Sequence, residues 1–129
     1  MNARRKQEFN LIKKQHGAVE FDDSLSWLIL KKWPLSKGWN KPSTEVLLLV
    51  PPGYPATPPD NFYADSDLRL ANGGQPGNTT PNHQHQNKPW LQFSYHVEKA
   101  DWQPHAEILQ GHNLSTFLEG VTLRLGEVS

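Results

Sequence analysis

Tyr54-Pro55-Ala56-Thr57-Pro58-Pro59 is the most informative segment of this chain, and it comes shortly after the apolar run Val46-Leu47-Leu48-Leu49-Val50. A continuous apolar run of this length is typical of a strand that is buried on both faces. Five prolines lie between positions 51 and 59. Because proline lacks the N–H that ladder pairing requires, the chain is expected to leave the buried strand and enter a stiff, extended loop.

A helix is predicted ahead of this segment. Residues 3–15 are rich in helix-forming and positively charged side chains, and Phe9 and Ile12 lie three positions apart on one side. Gly17 follows, and glycine readily adopts the left-handed conformation that ends helices. The pattern predicts a short, basic, amphipathic helix that ends near Gly17.

Four segments have the composition of β-strands. The first two are separated by turn-prone residues and predict a hairpin. The third is the apolar run, and its two apolar faces indicate burial between a helix layer and further structure. A helix followed by three strands on short turns predicts an antiparallel meander with the helix packed against it, and residues 61–64 predict a short fourth strand. The strands are predicted at residues 18–21, 25–33, 44–50 and 61–64.

From Asp65 to Lys88 the chain is polar, rich in Gly, Asn and Pro, and without hydrophobic periodicity. This composition predicts a long irregular loop over about residues 65–89, and loops of that length in compact domains are usually functional or mobile. Arg69 is expected to pair with Asp65 or Asp67 and so to hold the loop.

A second helix is predicted near the end of the chain. Asn113 is a good N-cap, and the apolar residues after it are spaced as one helical stripe. Gly120 inside the helix indicates close backbone packing, because glycine there costs about 1 kcal/mol relative to alanine. Gly126 is expected to close the helix. The stripe consists of Leu114, Phe117, Leu118, Val121 and Leu125.

The composition limits the class of protein. A chain of 129 residues is expected to form one domain, residues 1–129, and a net charge of zero argues against a general nucleic-acid binder. No apolar run approaches the roughly 20 residues that span a bilayer, and no secretory signal is recognisable, so we expect no membrane partner and a cytoplasmic protein. The chain contains no cysteine.

Charge is unevenly distributed along the chain. Residues 1–43 hold nine Lys and Arg against four Asp and Glu, whereas residues 44–129 hold four against nine. The positive charge of the first helix has two interpretations, a solvated helix face or a docking surface for an acidic protein partner. The residues concerned are Arg4, Arg5, Lys6, Lys13 and Lys14.

Several motifs occur in a specific order. A basic N-terminal helix and a strand meander precede Tyr54-Pro55-x-x-Pro58-Pro59, and Trp90-Leu91-Gln92-Phe93-Ser94-Tyr95-His96 and Trp102-x-Pro104 follow ahead of the last helix. Over roughly residues 5–125 this order resembles the ubiquitin-conjugating (UBC-like) superfamily, and more closely its prokaryotic branch called family E. The resemblance implies an α+β UBC-like fold, a four-stranded antiparallel meander with a helix at each end and a long irregular loop. The residues expected to be structural in it are Tyr54, Pro55, Pro58, Pro59, Trp90, Trp102 and Pro104. Trp90 and Trp102 are expected in the core, with their indole N–H groups bonded to loop backbone.

This chain departs from the superfamily at the residues that carry out catalysis in conjugating enzymes. Conjugating enzymes carry their modifier as a thioester on a cysteine, behind a His-Pro-Asn element. This chain has Pro81-Asn82-His83-Gln84-His85 in the corresponding region and no cysteine after it. The resemblance therefore implies a non-thioester component of a bacterial ubiquitin-like conjugation system. It would dock on an activating-enzyme-like protein, a ubiquitin-like protein, or both in a heterocomplex, and the five basic residues of the first helix are the expected partner-binding residues.

Alternatives to this accessory role remain open. A catalytic transferase would use His83, His85 or His96 as acid or base, with a hydroxyl in place of cysteine from Ser94 beside His96 or from Thr79 or Thr80 near His83. In the structural interpretation, Ser94 and His96 instead alternate with Phe93 and Tyr95 along an extended or turn segment, with the polar side chains outward. His83 and His85 alternate on an extended segment and would face the same side. A metal held by these histidines with Asp65 or Asp67 is disfavoured because thiolate ligands are lacking, and no cofactor is predicted. A free-standing module that binds ubiquitin-like proteins is the third alternative.

Overall fold

A computed structural model of the protein describes residues 3–129. Two helices flank a series of six strands. Two short 3-10 helices lie at Lys99–Asp101 and Ile108–Gln110. The main elements are α1 (Ala3–His16), β1 (Val19–Glu20), β2 (Trp27–Pro34), β3 (Ser43–Leu49), β4 (Phe62–Asp65), β5 (Thr79–His85), β6 (Lys88–Phe93) and α2 (Leu114–Gly126).

The first helix has the predicted extent. Gly17 follows its last residue with a positive φ of 82° and donates its N–H to the Lys13 carbonyl at 2.8 Å. This is the left-handed ending that glycine allows without a steric penalty. Neither helix within residues 3–129 has the length and apolar composition that crossing a bilayer demands.

The α+β class is confirmed, but the strand count is wrong. Strands β1 to β4 form the predicted antiparallel meander, and β5 and β6 extend the sheet to six strands in the order β1-β2-β3-β4-β6-β5. All pairs are antiparallel. The irregular segment is therefore much shorter than the predicted loop 65–89, since most of its second half is a β-hairpin.

The hairpin escaped prediction because its strands carry little apolar signal. Pro81 and Asn82 lie in a bulge opposite Leu91, where Asn82 adopts a φ of 67°. The two-residue turn Gln86-Asn87 has positive φ values of 53° and 60°, as in the type I′ turns that match strand twist. Pairing with β6 thus overrides a sequence that is polar and mostly exposed.

Both helices cover one face of the sheet. Phe9 and Ile12 of α1 and the apolar stripe of α2 belong to one buried cluster with strand residues such as Val46 and Phe93. Asn113 caps α2 as predicted: its Oδ1 accepts from the Thr116 N–H, and the Thr116 hydroxyl accepts from the Asn113 N–H, each at 2.9 Å. The face that contains this cluster is the main core.

The opposite face holds a smaller cluster of Ile29, Leu47, Tyr63 and Trp90. It has no helix over it among residues 3–129. In a flat sheet, β2 and β5 would lie about 19 Å apart, four strand spacings of about 4.8 Å. The ring of His85 on β5 nevertheless lies 5.4 Å from that of Trp27 on β2. The sheet therefore curls, and its last hairpin shields this face.

The loop between β4 and β5 is held by a different ion pair from the one expected. Lys41 Nζ lies 2.7 Å from Asp65 Oδ2 and 2.8 Å from Asp67 Oδ1. Arg69 instead donates to the carbonyls of Ser66 and Leu68. The predicted pairing of Arg69 is wrong because Lys41, which is distant in sequence, reaches both carboxylates.

Candidate functional site

The proline-rich segment is anchored from beneath by a buried carboxylate. Glu8 of α1 is 1% exposed, and its Oε1 accepts from the Tyr54 hydroxyl at 2.5 Å and from the Leu114 N–H at 2.6 Å. Its Oε2 accepts from Arg4 Nε at 2.7 Å. Burial, reinforced by the hydrogen bond to Glu8, raises the pKa of Tyr54 above its usual range. Sequence reasoning missed Glu8, which looked like a lone acid in a basic helix.

The two tryptophans differ in how their indole groups are satisfied. Trp102 is buried and its Nε1–H donates to the Pro55 carbonyl at 2.7 Å, as predicted. Trp90 is also buried, but its Nε1 has no hydrogen-bond partner among the described residues, so the predicted bond to loop backbone is wrong there. Trp90 instead packs in the second cluster, with the Lys88 ammonium 4.5 Å from its ring centroid. Pro104 forms an isolated bridge with His112.

The five basic residues of α1 fall into two groups. Arg4 donates to the His105 carbonyl at 2.5 Å besides contacting Glu8, and Arg5 donates to the carbonyls of Leu25 at 3.0 Å and Pro51 at 2.9 Å. These two arginines bind other parts of the same chain. The exposed group, with no carboxylate within ion-pair distance among residues 3–129, consists of Lys6, Lys13 and Lys14.

A groove of about 540 Å³ lies between α1 and residues 106–110. Gln7, Leu11 and Lys14 line it from the helix. Leu109 lines it from the other side, and this leucine is 77% exposed. The groove therefore joins a cationic helix face to an exposed apolar side chain.

The segment after β6 alternates between core and solvent, as predicted. The Phe93 side chain is buried and Tyr95 is partly buried, whereas Ser94 and His96 are exposed. Ser94 Oγ lies 3.2 Å from His96 Nε2, and His96 Nδ1 is bonded to Asp60 Oδ1. Asp60 directly follows Pro58-Pro59 and was not among the residues that the sequence had singled out.

Partly buried contacts position this exposed group. The Asn61 N–H donates to the Tyr95 carbonyl at 2.7 Å, and Asn61 Oδ1 accepts from the Tyr95 N–H at 3.2 Å. The Tyr95 ring meets Phe117 edge-on at 5.3 Å and occupies the space that a side chain at Gly120 would need. The close packing predicted at Gly120 is thereby confirmed. These contacts hold the Asp60 backbone beside that of His96.

The other two histidines lie elsewhere. His83 stacks on Tyr63 at 4.2 Å and His85 packs on Trp27, so both rings cover the second cluster. Burial, with a smaller contribution from His83, lowers the pKa of His85, and its Nε2 has no partner among residues 3–129. It borders a cavity of about 270 Å³ that Trp90 also lines.

The remaining candidate groups do not assemble. The Thr79 hydroxyl donates to the Pro76 carbonyl at 2.7 Å. No hydrogen bond joins Thr79 or Thr80 to His83 in the part of the chain that the structure describes. Across residues 3–129, no three His, Asp or Glu side chains come together as a group that could hold a metal ion.

Residues 8–125 match the model of one protein family, described as Prokaryotic E2 family E. The chain belongs to prokaryotic E2 family E. The match begins at Glu8 and ends at Leu125, so it includes the proline-rich segment, all six strands and nearly all of α2. Comparisons with curated proteins and with solved structures give no match.

The composition of this family E chain restricts its chemistry. A thioester needs a cysteine sulfur, and none of the 129 residues is cysteine. No residue of the sequence can therefore carry a thioester. The fold does bring together a hydroxyl, an imidazole and a carboxylate, those of Ser94, His96 and Asp60.

Proposed function

We propose that this family E protein is a non-thioester component of a bacterial ubiquitin-like conjugation system. It docks through α1 on an activating-enzyme-like partner that presents an acidic surface, and it brings a ubiquitin-like protein to that complex. Family membership and the absence of cysteine support the first statement. The observation that carries the docking proposal is the set of three exposed lysines on α1 without acidic partners among residues 3–129.

Those lysines lie together on one helix. Lys32, Lys37 and Lys99 are also exposed and have no acidic partner among residues 3–129, but they lie on separate segments, and the other surface lysines are paired. Lys31 and Lys88 both pair with Glu45, and Lys41 pairs with Asp65. Such pairs are largely self-neutralised and have little charge left to attract a partner. Lys6, Lys13 and Lys14 keep their charge available, which is the arrangement that steers association with an acidic protein.

The helical geometry makes the surface continuous. At about 100° per residue, Lys13 lies close to the direction of Lys6, and Lys14 lies about 80° from Lys6 toward the groove. Leu11 is a further 60° or so around the helix and lines that groove opposite Leu109. An apolar groove bordered by lysines matches the usual composition of protein–protein interfaces, in which a polar rim surrounds an apolar centre.

The structure also indicates which basic residues to leave intact. Arg4 and Arg5 bond to carbonyls that join α1 to the rest of the chain, so reversing their charge would destabilise the fold as well as any complex. The informative variant is Lys6→Glu/Lys13→Glu/Lys14→Glu. Its matched control is Lys32→Glu/Lys37→Glu/Lys99→Glu, which changes net charge equally at exposed lysines elsewhere.

The test measures, by calorimetry at low and high salt, binding to a purified adenylating enzyme from the protein's own organism. We expect the α1 variant to bind at least about tenfold more weakly. A tenfold rise in Kd corresponds to a loss of about 1.4 kcal/mol of binding free energy, and three reversed charges share that loss. The wild-type affinity should fall with salt. Equal affinity for wild type and the α1 variant, or an equal loss in the control variant, would refute docking through α1.

A further inference from the structure

We propose that Ser94, His96 and Asp60 form an acyl-transfer site, in which the Ser94 hydroxyl receives an activated acyl group as an ester. The proposal deepens the proposed function, since the acyl group would be that of the protein's conjugation pathway. The observation that carries it is the continuous hydrogen-bonded chain from Ser94 Oγ through His96 Nε2 and Nδ1 to Asp60 Oδ1.

The direction of the hydrogen bonds follows from the groups themselves. An ionised carboxylate only accepts, so His96 Nδ1 carries the proton that bonds to Asp60. In the neutral imidazole the other nitrogen, Nε2, is then an acceptor that faces the Ser94 hydroxyl at 3.2 Å. This is the tautomer and the order of groups that a serine nucleophile, its base and its orienting carboxylate require.

The group is exposed but positioned by rigid structure. The side chains of His96 and Asp60 are 58% and 70% exposed, so the hydrogen bond between them is open to solvent. Asn61 and Tyr95 hold the two segments together by one backbone hydrogen bond and one from the Tyr95 N–H to Asn61 Oδ1, and the Ser94 N–H donates to the Asn78 carbonyl at 2.9 Å. Exposure suits a nucleophile that must meet an acyl group carried by another protein, and the anchored backbone preserves its geometry.

The acyl donor in the proposed reaction is an acyl thioester. Ser94 Oγ attacks the carbonyl carbon and forms the C–O bond, while His96 Nε2 takes the hydroxyl proton. The C–S bond then breaks, the sulfur leaves as thiolate, and the imidazolium returns the proton to give a free thiol. In the second half, an acceptor amine attacks the ester carbonyl and gives a proton to His96 Nε2. The C–O bond to Ser94 then breaks, and the imidazolium protonates Ser94 Oγ as the amide forms.

The roles of the three residues are distinct. Ser94 and His96 touch the reacting atoms and are catalytic residues. Asp60 acts through His96 and is a positioning residue. In well-studied serine enzymes a positioned general base contributes about 10²- to 10⁴-fold to the rate. Because this group is open to solvent, we expect the lower end of that range, about 100-fold.

The test uses the full-length protein and a small acyl donor, the thioester of N-acetylglycine with 2-mercaptoethanesulfonate. Intact mass spectrometry should show one added acyl group, and peptide mapping should place it on residue 94. Alkaline hydroxylamine should remove it, whereas neutral hydroxylamine, which cleaves thioesters, should leave it in place. Ser94→Ala should abolish the adduct, and the matched exposed variant Ser36→Ala should not. His96→Ala should slow acylation about 100-fold, and added imidazole should restore part of the rate. Asp60→Asn should slow acylation, and Asp60→Glu should recover part of the loss.

Three outcomes would overturn the proposal. The first is an adduct that resists alkaline hydroxylamine, persists in Ser94→Ala and maps to lysine. The second is acylation of a Ser94→Cys variant with none of the wild type, which would mean that the position is accessible but the hydroxyl is not activated. The third is no acylation of either protein while circular dichroism shows both folded. The small donor needs no docking partner, so failure here is distinguishable from failure of the α1 binding test.

Discussion

The Tyr54 hydroxyl donates a 2.5 Å hydrogen bond to the buried Glu8 carboxylate, and so joins the proline-rich segment to the first helix. The same carboxylate accepts the Leu114 N–H at the start of α2 and the Arg4 guanidinium. Three parts of the chain that are distant in sequence therefore meet at one acidic group. Burial of a charge is tolerated here because every contact that Glu8 makes is a hydrogen bond from a donor.

Glu8→Gln should destabilise the protein by about 3 kcal/mol, since removing one partner of a largely buried ion pair leaves the other charge uncompensated. Urea denaturation followed by tryptophan fluorescence would measure the loss. The control is Glu119→Gln on the exposed side of α2, which should change the free energy of unfolding by no more than about 0.5 kcal/mol. Equal effects of the two substitutions would contradict a structural role for Glu8.

Gly120→Ala should destabilise the protein although helix propensity alone favours alanine by about 1 kcal/mol. The added Cβ would lie 1.7 Å from the Tyr95 hydroxyl oxygen, and the Tyr95 ring is packed against Phe117 and cannot easily move away. We expect a net loss of about 1–3 kcal/mol, typical of overpacking, by thermal or urea denaturation. Acylation of Ser94 should also slow, because Tyr95 positions its neighbours.

The matched control for that substitution is Gly126→Ala in the same helix. A Cβ at Gly126 would meet nothing within 4 Å. This variant should be neutral or slightly stabilising. A gain of stability in both glycine variants would contradict the prediction, because it would mean that the Tyr95 ring can pack equally well beside a side chain at position 120.

Stability should decrease as the pH falls below about 6.5, the ordinary pKa of histidine. Burial lowers the pKa of His85 in the folded protein, so the unfolded chain binds the proton more readily between the two pKa values. Above pH 6.5 the ring is neutral in both states and this contribution is complete. Urea midpoints measured from pH 5 to pH 8 would show the slope.

His85→Phe should reduce that slope and raise stability at neutral pH by about 1 kcal/mol, because the unpaired Nε2 disappears while the aromatic contact with Trp27 is kept. Part of the slope should remain, since burial also lowers the pKa of His16. The double variant His16→Gln/His85→Phe should be flatter still. An unchanged slope in His85→Phe would mean that this ring is not held neutral by the fold.

Residues that prefer positive φ values should stabilise the Gln86-Asn87 turn. Gln86→Asn/Asn87→Gly places the preferred type I′ pair at the two positive φ values and should add about 0.5–1 kcal/mol. Asn87→Val should instead destabilise the hairpin, because a β-branched residue is strained at a φ of 60°. Thermal unfolding should rank Gln86→Asn/Asn87→Gly as the most stable protein, the wild type next and Asn87→Val as the least stable. Any other ranking would argue against this turn conformation.

The predictions that succeeded rest on local patterns. The apolar run at β3, the cap at Asn113 and the stripe of α2 specify their own conformation through periodicity and capping, so neighbours in sequence suffice to recognise them. Strand β5 could not be recognised in this way, because its polar residues follow no strand pattern and Pro81 argues against one. It is a strand because β6 pairs with it.

The candidate site likewise has features that the sequence could predict and others that depend on tertiary contacts. The sequence alone established family-level resemblance, the absence of a thiol, and the outward direction of Ser94 and His96, since these depend on residue identity and on alternation along an extended segment. Only the tertiary structure brought Asp60 to His96, Glu8 to Tyr54, and the arginines of α1 to carbonyls far along the chain. Each of those contacts joins residues at least 20 positions apart, and hydrogen bonds of that range depend on how the sheet and the helices pack.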